Sequence, residues 1–250
     1  HRRLFCLKII QPSILTLNPY CLILIPAPMP ALYRIYRPQT FADLIAQNAV
    51  SQTLRNEVAQ GKCGQAFLFS GPRGVGKTST ARILAKAVNC TGRKADEGEP
   101  CNRCEACLEI TANRSMDIIE IDAASHTGVE MVREVIIETA RLSPARLKFK
   151  VFIIDEAHML SDPAWNALLK ILEEPPSHVM FILATTEFHE VPATILSRCQ
   201  RFDFKRLSVA DLIGRLQDIL KKEKRKVDDE AIIRIARLAD APRLDRLFRR

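Results

Sequence analysis

Residues 71–78 read Gly71-Pro72-Arg73-Gly74-Val75-Gly76-Lys77-Thr78. This is the full phosphate-loop pattern, G-x-x-x-x-G-K-[ST]. Its glycines let backbone N–H groups turn inward around an anion. Lys77 adds a positive charge for β- and γ-phosphates, and Thr78 supplies a hydroxyl for Mg²⁺. Upstream, Gln65 to Ser70 (QAFLFS) reads as a short buried strand. Downstream, Thr78 to Val88, rich in Ala, Leu and Lys, reads as a helix. A chance Gly-rich turn would not bring strand, loop and helix into this register. The nucleotide cradle is expected to run over Gly71, Pro72, Arg73, Gly74, Val75, Gly76, Lys77, Thr78 and Ser79.

A second motif lies about 80 residues further on. Lys150 to His158 reads KVFIIDEAH, an apolar run ending in two carboxylates. It reads as a central parallel strand that delivers acids to its C-terminal edge. Asp155 would hold Mg²⁺ and Glu156 would orient and polarise an attacking water. The bland reading, a strand ending in a solvated acidic turn, is weakened by the phosphate loop upstream. His158 is expected at the exposed end, in a capping or packing role.

The remaining elements alternate. Asp117 to Asp122 reads as a strand, followed by the turn Ser125-His126-Thr127-Gly128 and an amphipathic helix to about Ala140. Ser161 to Glu173 reads as a helix stopped by Pro175-Pro176. His178 to Ala184 is an apolar strand leading into Thr185 and Thr186, and Arg201 to Phe204 is a last, alternating strand. This alternation predicts an α/β fold, a parallel sheet flanked by helices on both faces. A hydroxyl of Thr185 or Thr186, at a strand's C-terminal end, could sense a γ-phosphate; a plain strand cap is the alternative. From Ser208 the texture turns helical. Ser208 to Asp211 resembles a capping box, apolar residues at 212, 213, 216, 219 and 220 share a face, and Asp228 to Ala239 reads as a second helix. The basic run Lys221 to Lys226 is read as a solvated helix end.

Four of the eight cysteines cluster as Cys90-x10-Cys101-x2-Cys104-x2-Cys107. The two x2 spacings put three sulfurs within reach of one tetrahedral ion, and Cys90 closes the fourth position. With no fifth Cys or His nearby, the site would be closed, so zinc there would be structural. An iron–sulfur cluster and disulfides remain as alternatives. Cys63 and Cys199 are expected to pack as small hydrophobes.

The 250 residues carry a net charge of +8, which looks like a nucleic-acid signal until it is located. Residues 1–28 hold Arg2, Arg3 and Lys8 with no acid, and residues 241–250 hold four arginines against Asp245, leaving the middle at only +2. Any DNA contact must then come from local patches. Met29 is read as the natural start and residues 1–28 as a non-native or unstructured leader, with a true leader as the alternative. No stretch is long and unbroken enough to span a membrane, and a cytoplasmic location is expected.

With these residues in view, the chain resembles the AAA+ clamp-loader ATPases of bacterial replication. The resemblance rests on the phosphate loop, Asp155-Glu156-Ala157-His158 and Ser197-Arg198-Cys199. It is narrowed by the inserted four-cysteine module, Tyr36 to Phe41 (YRPQTF), Glu120 to Ser125 (EIDAAS) and Leu172 to Pro176 (LEEPP). It runs from about Leu32 to Asp240. It implies a AAA+ nucleotide-binding domain over 29–206, with the zinc module at 90–107, and a helical lid over 207–250. It implies that Tyr36, Arg37 and Pro38 lie near the adenine, that Thr186 is the sensor threonine, with Thr185 as the other register, and that Arg198 is an arginine finger acting in trans on a neighbour's site. Lys77, Asp155 and Glu156 complete the implied catalytic set. The implied cofactors are ATP, Mg²⁺ and Zn²⁺. The implied partners are other clamp-loader subunits, a sliding clamp, primer–template DNA held through its backbone and, in a longer natural form, a polymerase core. ATP binding would order the ring that opens the clamp, and hydrolysis would release it onto DNA.

Three positions depart from the family pattern. Ala46 stands where glycine is expected, a minor change if its φ is negative. His126 stands where asparagine is usual. After Asp240 the lid sequence changes: Pro242 would interrupt a helix start and Arg243 is out of register for a second sensor arginine, as a frameshifted or truncated end would produce. Two other classes remain open. A nucleotide-gated structural subunit would bind ATP without turnover, and a DEAH-type helicase would need a second motor domain.

Overall fold

A computed structural model describes residues 31–94, 96–125 and 128–240. The expectations for residues 1–28, His126, Pro242 and Arg243 lie outside the described residues. The chain divides into two units, His1–Arg37 and Pro38–Arg250. Within the first, residues 31–37 form one helical turn, Leu32–Ile35, closed by the Tyr36 N–H on the Leu32 carbonyl at 2.9 Å.

The second unit is built on five parallel strands: β1 (Ala66–Ser70), β2 (Ile118–Asp122), β3 (Lys150–Asp155), β4 (Val179–Thr185) and β5 (Gln200–Asp203). Their order across the sheet is β2-β3-β4-β1-β5. Strands buried on both faces read as unbroken apolar runs, and β1, β3 and β4 do so. Successive residues feed opposite cores. Leu68, Phe152, Ile154, Phe181 and Leu183 pack with Val132, Ile136, Trp165 and Leu168 on one face. Phe67, Phe69, Val151, Ile153 and Ile182 pack with Leu54, Val58, Ile83 and Leu84 on the other. The Asp155 strand is an interior strand beside β2 and β4, while β4 holds the centre.

Helices Asn48–Gln60 and Lys77–Asn89 cover one face, and Asp162–Glu173 with a helical run over 129–141 cover the other. Ser161 precedes the Asp162–Glu173 helix in an extended conformation and Pro163 sits in its first turn, where a missing N–H costs nothing. The helix ends at Glu173 because Pro175 excludes helical geometry for the residue before it, and Glu174 has φ −133° and ψ 71°. The run over 129–141 begins after Gly128 as expected, but its middle, Val132–Glu138, has π geometry. Its end is held by Lys150, whose buried ammonium donates to the carbonyls of Thr139 and Leu142, both at 2.9 Å.

The lid helices are Val209–Lys222 and Asp229–Asp240. The capping box is present: Ser208 Oγ accepts the Asp211 N–H at 3.1 Å and Asp211 Oδ2 accepts the Ser208 N–H at 3.0 Å. The apolar stripe Leu212, Ile213, Leu216, Ile219 and Leu220 is only half-buried. Among the described residues it packs on the Asp229–Asp240 helix and is not enclosed as the sheet-facing helices are. No described helix is long and apolar enough to cross a membrane.

Ala46 is a correction. Its φ is +58°, so the expected glycine position does need the left-handed region. A Cβ there costs about 1–2 kcal/mol, partly offset because glycine loses more backbone entropy on folding. Ala46→Gly is expected to stabilise the protein by about 0.5–1 kcal/mol and to raise Tm by about 1–3 °C. Calorimetry showing a lower Tm would mean that this strain is relieved elsewhere.

Candidate functional site

Parallel β1, β3 and β4 bring their C-terminal ends to one edge, where ligands bind in open α/β sheets. The register pairs Ser70 with Thr185 and Asp122 with Asp155. The phosphate loop leaves β1 with φ of +144° at Gly71, +80° at Gly74 and +102° at Gly76. A Cβ on Gly71 would lie 2.5 Å from the Phe204 carbonyl oxygen, so only glycine fits. The loop then opens directly into the Lys77–Asn89 helix, whose N-terminus favours an anion.

Lys77 is 6% exposed, and its ammonium donates to the carbonyls of Gly71 at 2.7 Å and Pro72 at 2.8 Å. Burial pushes its pKa down, while the carboxylates of Glu156 and Asp155 pull it back up. Thr78 Oγ1 donates to Asp155 Oδ2 at 2.6 Å. The hydroxyl and the carboxylate expected to share Mg²⁺ are thus in direct contact, and they suit a hard cation that takes oxygen ligands.

Glu156 turns sharply away from β3, with φ 47° and ψ 44°, a left-handed conformation that strains any residue with a Cβ. Its Oε2 accepts the Thr186 hydroxyl at 3.1 Å and lies 3.7 Å from His158 Nδ1. Thr185 is fully buried, with Oγ1 3.1 Å from His158 Nδ1 and accepting the Glu187 N–H at 3.0 Å. Thr186, one residue beyond the strand, is the threonine aimed at the Glu156 carboxylate.

His158 has the packing role expected of it, but not at an exposed end. Its side chain is 11% exposed and joins Thr185 and Glu156. The single 3-10 turn Ala157–Met159 folds it back over the strand end. The only sequence signal is its place two residues after Glu156, too short a spacing to fix a direction.

A cleft of about 1160 Å³ opens over this edge. It is lined by residues 70–75, Asp122, Glu156, His158, Thr186 and Asp203, with Leu212 and Ala239 from the lid. Its size suits a nucleotide-sized ligand. Arg198 is not among the lining residues. It follows the short helix Ala193–Leu196 and donates to the Thr194 carbonyl at 2.6 Å and to Glu173 Oε1 at 2.8 Å. Tyr36 and Arg37 belong to the first unit, and Pro38 begins the second.

The Sγ atoms of Cys90, Cys101, Cys104 and Cys107 all lie within 4.8 Å of one another. Cys90 and Cys104 are 3.9 Å apart, close to the roughly 3.8 Å between two thiolates each about 2.3 Å from one tetrahedral ion. Backbone N–H groups point at the sulfurs: Cys101 N–H donates to Cys90 and Cys104 N–H to Cys101, both at 3.3 Å. Although burial opposes it, hydrogen bonds from the Cys107 backbone and from Thr91 bring the Cys104 thiol down to about 5. Four soft donors in a closed set fit one thiophilic divalent ion. Cys63 and Cys199 pack against the two cores, and burial raises each thiol to about 11.

A family model described as "DNA polymerase III, delta subunit" matches residues 46–208. DNA polymerase III subunit tau of Bacillus subtilis (strain 168) is 52% identical over 217 residues, covering 87% of this chain and 38% of that protein. The tau subunit of Escherichia coli (strain K12) is 49% identical over 217 residues, covering 86% of this chain and 33% of that protein. The chain thus spans only about a third of the length of these curated relatives. Among solved structures, the Thermotoga maritima RuvB Holliday junction branch migration motor superposes with a TM-score of 0.57. That match covers 83% of this chain and 62% of the other at 19% identity, a likeness of fold alone.

Metal analysis of the purified chain is expected to find one thiophilic divalent ion per chain. Cys104→Ser should lower that occupancy and the Tm together. Unchanged metal content in the variant would rule out the four-cysteine site.

Proposed function

The chain belongs to the family described as DNA polymerase III, delta subunit, and we propose that it is the ATPase region of a bacterial replicative clamp-loader subunit of the tau/gamma kind. The observation that carries this reading is the cluster at the strand ends. Residues 70–75 and the Glu156–Thr186 pair line one cleft, and the buried loop lysine and the Thr78–Asp155 pair join them through the loop's carbonyls and the end of β3. The AAA+ fold, a five-stranded parallel sheet with a helical lid, supports it.

In this reading the inward N–H groups of 71–76 and the N-terminus of the following helix bind the triphosphate. Lys77 leaves its two carbonyl partners for the β- and γ-phosphates. Thr78 and Asp155 hold Mg²⁺, which when bound neutralises phosphate charge. Glu156 orients and polarises the attacking water. Thr186, already on the Glu156 carboxylate, reports whether a γ-phosphate is there to compete for its hydroxyl. Leu212 and Ala239 carry the cleft's state to the lid.

Arg198 sits away from its own cleft, held by Glu173, and serves a neighbouring subunit's site in trans. The cysteine module holds zinc in a structural role. The partners are other clamp-loader subunits, a sliding clamp and the backbone of primer–template DNA, with ATP turnover gating clamp opening and release in the cytoplasm.

The test is phosphate release by the full-length protein assembled with its partner subunits, with and without clamp and primed DNA. The rate is expected to rise only when both are present. Glu156→Gln should lower kcat by about 100-fold or more with ATP affinity nearly unchanged, and Lys77→Ala should abolish nucleotide binding. Arg198→Ala should keep nucleotide binding in its own cleft yet cut turnover by about a thousandfold. A rate indifferent to clamp, DNA and Glu156 would sink the reading. Tight ATP retention without turnover would leave a nucleotide-gated structural subunit.

A further inference from the structure

Two polar residues tie the four-cysteine module to the phosphate loop, and neither belongs to the metal site or the nucleotide cradle. Glu99 lies just before Cys101, with its side chain 19% exposed. Its Oε2 accepts the Phe41 N–H at 2.8 Å and its Oε1 the Ala42 N–H at 3.0 Å. Arg55 Nε stands 3.2 Å from the same Oε1. These N–H groups open the 3-10 turn Phe41–Asp43 and have no partner within it. A carboxylate on two such donors makes strong, oriented hydrogen bonds.

The turn it holds rests on the phosphate loop. Phe41 is 1% exposed and shares a core with Leu44 and Val75. Leu44 Cδ2 stands 3.7 Å from where a Cβ on Gly76 would lie. Moving the turn therefore moves the wall behind the loop's last glycine.

The second tie is Lys86, on the helix that the loop opens. It is 2% exposed, and its ammonium donates to the Gln39 carbonyl at 2.9 Å, Gln39 Oε1 at 2.7 Å and Asn102 Oδ1 at 2.7 Å. Asn102 lies between Cys101 and Cys104 and donates back to the Gln39 carbonyl at 3.2 Å. Loop helix, segment 39–44 and cysteine module thus close a ring of contacts. Gly98 packs the module against the Asn48–Gln60 helix as well: a Cβ there would clash with the Arg55 carbonyl.

We infer that the cysteine module is a strut for the nucleotide site, with Glu99 and Lys86 as positioning residues that hold segment 39–44 against the phosphate loop. Metal in the module then raises nucleotide affinity from outside the cleft. The inference rests on the nucleotide reading of the cleft.

The experiment measures ADP affinity by calorimetry in the full-length protein, with metal content and Tm followed beside it. Glu99→Gln keeps the shape but turns an amide donor toward donors, and Lys86→Met removes the ammonium. Each is expected to weaken ADP binding about tenfold while the metal stays bound. Chelation of the wild type should give a similar loss, and chelation of Glu99→Gln should add little, since the two changes break one linkage. Glu105→Gln, an exposed acid of the same module paired with Arg146, should change nothing. Wild-type affinity in both metal-loaded variants would overturn the strut while leaving the nucleotide reading intact. A metal-loaded wild type that does not bind ADP would overturn both.

Discussion

The 2.6 Å hydrogen bond from Thr78 to Asp155 joins two elements the sheet keeps apart. Thr78 opens the helix after β1, Asp155 ends β3, and β4 lies between those strands. The bond forms only if all three strands stop at one level, which the parallel register provides by setting Ser70 level with Thr185. The sheet can hold that register because β1, β3 and β4 are buried on both faces. A one-residue slip would drive every inward side chain into the wrong core. Two interdigitated cores thus support a constellation of small polar groups, and the polar groups need no stabilising power of their own.

Two tight positions stand where the chain must leave this frame. Gly71 yields to the Phe204 carbonyl, and Glu156 takes a left-handed conformation immediately after β3. The second case is informative, because glycine would be easier there and would remove the carboxylate. The cost of a Cβ in that region, about 1–2 kcal/mol, is met by the buried strand before it and by the Asp155 Oδ1 that accepts the Glu156 N–H at 3.0 Å. Ala46 has the same kind of strain with no acid to present.

Much of this was legible in the sequence, for a physical reason: phosphate loops, capping boxes, proline stops and closely spaced cysteines act over a few residues. The strands and helices that were expected fell within a residue or two because apolar runs and stop signals are local as well, whereas helices Asn48–Gln60 and Glu105–Thr111 had not been expected. What escaped needed distance. The sign of φ at Ala46, the inward fold of His158 and the contact of Glu99 with a turn 58 residues away are properties of packing. The choice between Thr185 and Thr186 is of the same kind. Adjacent residues point to opposite sides, and only pairing with β1 decides that Thr185 is enclosed and Thr186 meets Glu156. The half-buried lid stripe shows the converse, since a clear helical pattern says which face is apolar but not how much will cover it.

Arg198 presents a problem of supply rather than of placement. A residue proposed to serve a neighbour must be ordered before the neighbour arrives and must be cheap to release. Its side chain is 33% exposed and that of its partner Glu173 52% exposed, a setting in which ion pairs contribute about 0–1 kcal/mol. The Thr194 carbonyl and Glu173 together fix the fork against a loss of side-chain entropy, yet neither bond is strong enough to trap it. A phosphate oxygen offers a larger charge and bidentate geometry. In the proposed assembly the exchange of Glu173 for a phosphate would run downhill, and the surface pair would serve as a rest position. A buried pair with Glu173 would have defeated the purpose, because surrendering it would leave a desolvated carboxylate behind.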